Sequence, residues 1–242
     1  MQSLYLVYLD RPHLGDDLFL NSLAQHLSQA GAEAPTCLLV HGSGEKVERT
    51  LEAQGQFPDR TNGVLEVESE EQRRLVERAV RETNQEIVAT LTDEVVATVG
   101  IQGVDRGLLQ KASDGALRAP NVGWVSALLK QHVVPVVSAL VEAPDSGAVR
   151  EVWTAEAVGA LAQALGDSFD PVACLLATTD RPGVPDDTDT VREEVAVQDL
   201  TEAHVSDPSA ARQLIQDEVP LMITNLQGLL GGAGVEGTQV RA

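Results

Sequence analysis

Apolar positions along this chain follow two alternating rhythms. Short apolar runs at LYLVYL (4–9), CLLV (37–40), EVVATVGIQG (94–103), a segment opening on Pro135 and PVACLLATT (171–179) read as buried strands. Between them lie segments with the helical period: 18–31 closed by Gly31, 45–54 stopped by Gly55, 69–91, 125–131, 154–166 and a stretch near 221–230. The longest begins with Ser69 and Gln72 at N-cap and N3, the arrangement of a capping box. Its Leu75, Val76, Ala79, Val80, Thr83, Ile87 and Leu91 form one apolar stripe. DRPHLGDD (10–17) reads as a loop, Asn62-Gly63 as the centre of a short hairpin, and the Asp-rich stretch 186–189 as a mobile loop. Strands alternating with helices predict an α/β protein on a mostly parallel sheet, undivided by repeats or linkers.

The segment CLLVHGSGEKVERTLEAQG (37–55) joins a buried strand to a helix through a glycine turn, His41-Gly42-Ser43-Gly44. In an open α/β sheet such turns stand at the carboxyl edge of the strands, where ligands bind. The turn lacks the spacing of a dinucleotide fingerprint, and the phosphate-loop signature is absent from the chain.

Composition narrows the ligand classes. Over 242 residues the formal charge is −20, and the only lysines are Lys46, Lys111 and Lys130. Such a surface repels nucleic acid and anionic membranes, so neither is expected as a partner. Scarce lysine beside abundant Asp and Glu suits work in high salt, where self-repulsion is screened. Aromatic residues make up 3%, so the core is expected to be built from Val, Leu, Ala and Ile. Cys37 and Cys174 each lie in an apolar run and read as buried thiols, with no metal-ligand cluster. No run reaches transmembrane length and MQSLYLVYLDRPH turns polar too early for a signal peptide, so the cytoplasm is expected.

Taken in order, several stretches resemble the amino-acid-kinase family, and within it the N-acetylglutamate kinase branch. LLVHGSG (38–44) is similar to the VHGGG strand-turn, and NGVLEVESEEQ (62–72) falls where that branch has a GLRVTD-type segment. NQEIVATL (84–91) resembles an NKEIV-type helix end. VVATVGIQGVDRGLLQ (95–110) resembles AVGLSGxDGxLI, and TTDRPGV (178–184) the LTDVPGV turn. The resemblance implies a single domain folded as a three-layer αβα sandwich. Residues 1–150 would bind an acyl amino acid and 151–242 ATP, in a homodimer built through 69–91. It implies transfer of a γ-phosphoryl group from ATP to a carboxylate, with Mg²⁺ bridging phosphates, in the setting of arginine biosynthesis.

Against that pattern the charged positions are substituted. The first loop, with the family's KxGG, is YLDRPHLGDD here; Arg11 or His13 are the only cations it offers. Gly42, Ser43 and Gly44 keep the second turn, where glycine amides would approach the substrate. Leu65 stands for the arginine of GLRVTD. EVWTA (151–155) stands for NVNAD, with Trp153 at the second asparagine and Ala155 at the aspartate. VPLMITN (219–225) stands for GGMxPK, with Asn225 at the lysine. Asp180 and Gly183 sit where a helper for nucleotide or metal would sit, or Asp180 caps its own turn. Asp105 reads as a solvated turn residue, and His41 as a core histidine rather than a base. Arg106, Arg150 and Arg181 flank the right loops and are the replacements to consider. Two expectations follow: an acetylglutamate-kinase-like enzyme with weak or lost activity, needing ATP and Mg²⁺ if active, or a non-catalytic binding or assembly subunit. In the assembly case Trp153 would fill the cleft.

Overall fold

The computed structural model describes residues 1–30, 34–144, 146–232 and 234–242. Alternation within its first strands divides the core. In β1 (Ser3–Leu9), Leu4, Leu6 and Tyr8 enter one apolar cluster, while Val7 and Leu9 enter another. After α1 (Arg11–Leu14) and α2 (Asp17–Ala30) comes β2 (Thr36–His41), buried throughout. Its Leu38 and Val40 join the first cluster, and Cys37 and Leu39 the second. Both faces are covered, which explains why these strands read as continuous apolar runs.

The remaining elements follow in chain order. They are α3 (Glu45–Ala53), the hairpin β3 (Arg60–Thr61) and β4 (Val64–Leu65), α4 (Glu70–Asp93) and β5 (Thr98–Gln102). Next come β6 (Gln110–Lys111), β7 (Leu117–Arg118), α5 (Gly123–Leu129), β8 (Val134–Ser138), β9 (Leu140–Glu142) and β10 (Val149–Glu151). The last are α6 (Thr154–Leu165), β11 (Asp170–Leu176), β12 (Glu194–Ala196), α7 (Pro208–Gln216), β13 (Leu221–Thr224), α8 (Leu226–Leu230) and β14 (Thr238–Arg241). The main sheet has the order β12-β14-β13-β11-β1-β2-β8-β5, and only the β13–β14 pair is antiparallel. Helices α5, α6 and α7 bury Val125, Leu161 and Leu214 on one face; α2, α4 and α8 bury Leu23, Ile87 and Leu229 on the other. The chain is therefore a three-layer αβα sandwich. A smaller sheet, β10-β9-β6-β7, extends from the end of β8. No helix among the described residues is long and apolar enough to cross a membrane.

Several expectations change. The segment 221–230 is not one helix: Leu221–Thr224 is wholly buried between β11 and β14, and helix starts only after Asn225 caps it. A short apolar run carries no period that separates the two states. DRPHLGDD holds α1, because the Asp10 carboxylate accepts from the His13 N–H at 3.1 Å and Pro12 fits a first turn. Helix α7, capped by Asp207, has no counterpart in the sequence reading. The strand read at 94–103 shortens to Thr98–Gln102 after a turn at Val95 (φ 63°). Gly31, read as the end of the second helix, lies outside the described residues.

The capping box at 69–72 is formed: Ser69 Oγ accepts from Gln72 N, and Gln72 Oε1 from Ser69 N, each at 3.1 Å. Ser69→Ala is expected to lower stability by about 1 kcal/mol. The urea midpoint should fall at unchanged m-value; an unchanged midpoint would count against a contribution from this cap. The stripe on α4 is largely spent inside the chain, with Val76 and Val80 packed on Leu51 and Leu65, and Ile87 and Leu91 under the sheet.

Candidate functional site

A cavity of about 330 Å³ opens at the carboxyl ends of β1 and β2. Three pieces of chain converge on it. The first is the turn Gly42-Ser43-Gly44, wholly buried, which ends β2 and places Gly44 at the N-cap of α3. The second is the end of β10 and the start of α6, contributing Glu151 and Thr154. The main-chain bonds from Ala139 N to His41 O (2.8 Å) and from Val152 N to Ala139 O (2.9 Å) hold these two pieces together. The third is the end of β1, where Asp10 and Arg11 line the cavity beside Ser206 and Asp207.

Glu151 is the central group. Its Oε1 accepts from Ser43 N at 2.5 Å and its Oε2 from Ser43 Oγ at 2.9 Å. Burial pushes its carboxyl above the usual range, opposed by the Ser43 donors and the Arg60 charge. A Cβ on Gly42 would stand 2.5 Å from Glu151 Oε1 and 2.8 Å from Thr154 Oγ1, so the close approach requires glycine.

The cations that reach the cavity are already committed. Arg60 Nε donates to Glu48 Oε1 at 2.6 Å, and its Nη2 reaches Ser43 Oγ at 3.2 Å. Arg11 Nη2 donates to the other oxygen of Glu48 at 2.9 Å. The lysines lie elsewhere: Lys46 on Glu86, Lys111 on Glu156 and Lys130 over the Phe169 ring. At the end of β1, Asp10 is bonded to His13 Nδ1 and Ser206 Oγ, while Tyr8 OH donates to Asp207 at 3.0 Å. Burial and the neighbouring carboxylates hold the Tyr8 hydroxyl well above its ordinary pKa.

His41 lies beneath the turn. Asn84 Nδ2 donates to its Nε2 at 2.9 Å, which leaves Nδ1–H to donate to Gly42 O at 3.0 Å. Complete burial pushes the imidazole down to about 4, so it is neutral.

The other sequence-derived positions are distributed as follows. Leu65 is buried with Val47, Leu51 and Val76. Trp153 is buried behind Gly63, its indole N–H without a hydrogen-bond partner, and does not line the cavity. Ala155 is fully buried in α6. Asn225 caps α8 through Gly228 N (2.9 Å) and donates to Asp180 O (2.8 Å). With exposed Asp180 it lines a second, more open cavity of about 390 Å³ that His13 also reaches. Gly183 is buried at φ 147° against Thr238. Asp105 accepts from Gln102 N at 2.8 Å within its turn. Arg106 lies over the Trp124 ring, Arg181 pairs with Asp189, and Arg150 is exposed on β10; none lines the first cavity. Arg60 and Glu151, which do line it, were not singled out from sequence. The visible signal for Glu151 was a carboxylate set against an apolar segment.

A magnesium triphosphate needs cationic or amide donors along its phosphates. In the first cavity the two arginines share Glu48 and the Ser43 amide is taken by Glu151, and the described residues of the second offer His13 and His26 without lysine or arginine. These residues do not fit a polyphosphate at either cavity.

The comparisons with known proteins agree with the fold. Residues 10–225 match the model of the amino acid kinase family. Acetylglutamate kinase of Methanopyrus kandleri is 30% identical over 224 residues, covering 81% of this chain and 89% of that protein. Acetylglutamate kinase of Deinococcus radiodurans is 29% identical, covering 81% and 76%. The chain spans a smaller share, 57%, of the Prochlorococcus marinus acetylglutamate kinase, at 27% identity. Among solved structures, smu.665 from Streptococcus mutans superposes with a TM-score of 0.68 at 16% identity, covering 99% of this chain and 98% of that one. N-acetylglutamate synthase from Neisseria gonorrhoeae, complexed with coenzyme A and N-acetyl-glutamate, gives 0.70 at 20% identity, covering 100% and 59%. The chain belongs to the amino acid kinase family.

Proposed function

We propose that this protein is an acetylglutamate-kinase-like member of the family that binds a small acyl amino acid, and in which phosphoryl transfer from ATP to a side-chain carboxylate is weak or lost. One observation carries the reading. Among the described residues no lysine lines the cavity at the ends of β1 and β2, and both arginines that do are paired with the one carboxylate of Glu48. Phosphoryl transfer concentrates negative charge on the transferring oxygens and depends on positioned cations. Removing one oxyanion donor elsewhere costs about 2.7–4 kcal/mol, a factor of 10² to 10³ in rate.

What remains suits binding. The cavity is of small-ligand size and is walled by Leu9, Pro12 and Leu14 on its apolar side, with convergent polar groups at Ser43, Arg60 and Glu151. The names of the relatives point to an N-acyl-L-glutamate or a close analogue as the ligand class.

Hydroxylamine trapping of an acyl phosphate tests the reading. With ATP, Mg²⁺ and N-acetyl-L-glutamate in molar KCl, hydroxamate is expected at background, while calorimetry detects an N-acyl amino acid. Turnover of about 1–10³ s⁻¹, the ordinary enzyme range, would overturn it. So would the absence of binding by every N-acyl amino acid tried.

A further inference from the structure

The turn after β2 is an anion cradle, and it already holds an anion. Ser43 turns both its N–H and its hydroxyl onto the Glu151 carboxylate, at 2.5 and 2.9 Å. Arg60 donates to the same hydroxyl at 3.2 Å, so guanidinium, hydroxyl and carboxylate form one directed chain. Gly42 has no side chain, which lets Oε1 approach the backbone where a Cβ would be 2.5 Å away. The cradle stands at the start of α3, a helix of nine residues with Gly44 at its N-cap. Glu151 is only 8% exposed, yet lines the cavity, so its carboxylate forms the floor against which any ligand there is placed.

A floor of this kind selects by charge. A second carboxylate or a phosphate brought to the turn would meet a buried like charge and find the Ser43 donors taken. An amide or hydroxyl end would instead donate to Glu151 without displacing it. The nearby charges do not offset this selection. Arg60 and Arg11 are shared with Glu48, and Asp10, Glu45 and Asp207 line the rest of the wall.

We propose that Glu151 is the specificity-determining residue of this cavity. Seated in the Gly42-Ser43 turn, its carboxylate admits ligands that present a neutral hydrogen-bond donor there, and turns away those that present a carboxylate or phosphate. The assignment rests on the reading of the cavity as the ligand site, and deepens it. An acyl amino acid bearing an amide side chain fits better than its acid counterpart.

Two measurements separate the parts. The first is thermal unfolding of wild type, Glu151→Ala and Glu151→Gln in sodium acetate and in sodium chloride at equal ionic strength. Acetate is expected to raise the midpoint of Glu151→Ala by occupying the vacated cradle, and to leave the other two unmoved. The second is calorimetry with N-acetyl-L-glutamine and N-acetyl-L-glutamate. Wild type is expected to bind the amide at least about tenfold more tightly. Glu151→Gln, which keeps the shape without the charge, should erase or reverse that preference, and it carries the test alone should Glu151→Ala fail to fold. Acetate without effect on folded Glu151→Ala overturns the cradle. Equal affinity of wild type for the two ligands, or an unchanged preference in Glu151→Gln, overturns the selection. Acetate rescue with no binding of either ligand by wild type overturns the cavity reading itself.

Discussion

Gly42→Ala is expected to lower the free energy of unfolding by about 3 kcal/mol, a large effect for one methyl group. The added Cβ would stand 2.5 Å from Glu151 Oε1 and 2.8 Å from Thr154 Oγ1, closer than carbon and oxygen tolerate. The backbone has little freedom to yield, since His41 beneath it is held by Asn84 and the turn residues are buried. The carboxylate must therefore move, and moving it breaks its bonds to Ser43 N and Oγ. Conformational preference is not the cause, because Gly42 is not among the residues with positive φ. A double-mutant cycle with Glu151→Ala isolates the contact. Gly42→Ala should cost clearly less in the Glu151→Ala background, with a coupling of about 1–2 kcal/mol in urea titrations. Additive losses would show that the methyl group is opposed by Thr154 or the backbone instead.

The contrast between Gly42 and Glu151 shows where the sequence is legible. Gly42 ends an unbroken apolar run and precedes a helical period, two local signals that place a turn at a sheet edge. The strand at 37–40 and the capping box at Ser69 were readable for the same reason, each being encoded within a short window. The three-layer architecture came only from the family resemblance of several stretches taken in order. Glu151 and Arg60 were not, because each acts only through a partner far along the chain: Glu151 meets Ser43 across 108 positions, and Arg60 meets it across 17. Arg106, Arg150 and Arg181 illustrate the opposite failure. Each neighbours a relevant loop in sequence, but Trp124, solvent and Asp189 receive them. The caps of α1 and α7 did carry local signals, an Asp followed closely by Pro in both, and could have been read. The apolar stripe on α4 shows a further limit: periodicity says that a face is buried, and packing on α3 and the sheet says by what.

His41 supplies the other large expected effect, a loss of stability on the order of 3 kcal/mol as pH falls from 6.5 to about 4. Its folded pKa, about 4, lies below the ordinary 6.5 because the ring is fully buried, an effect the bond to Gly42 O opposes only in part. Above pH 6.5 the ring is neutral in both states and its contribution is fully present. As pH falls, the unfolded chain takes up the proton first, the unfolded state is favoured, and the contribution is gone below the folded value. Glu151 works in the opposite sense. Its carboxyl is raised, so the stability it contributes is present below its unfolded value of 4.5 and lost as pH rises through the folded one. His41→Gln retains an acceptor for Asn84 and removes the titrating ring. Urea midpoints of the two proteins, taken stepwise from pH 7 to 4 at fixed high salt, should diverge on the neutral side and converge toward pH 4. Parallel curves would mean that the ring accepts its proton in place, with Asn84 turning its amide to receive the new N–H.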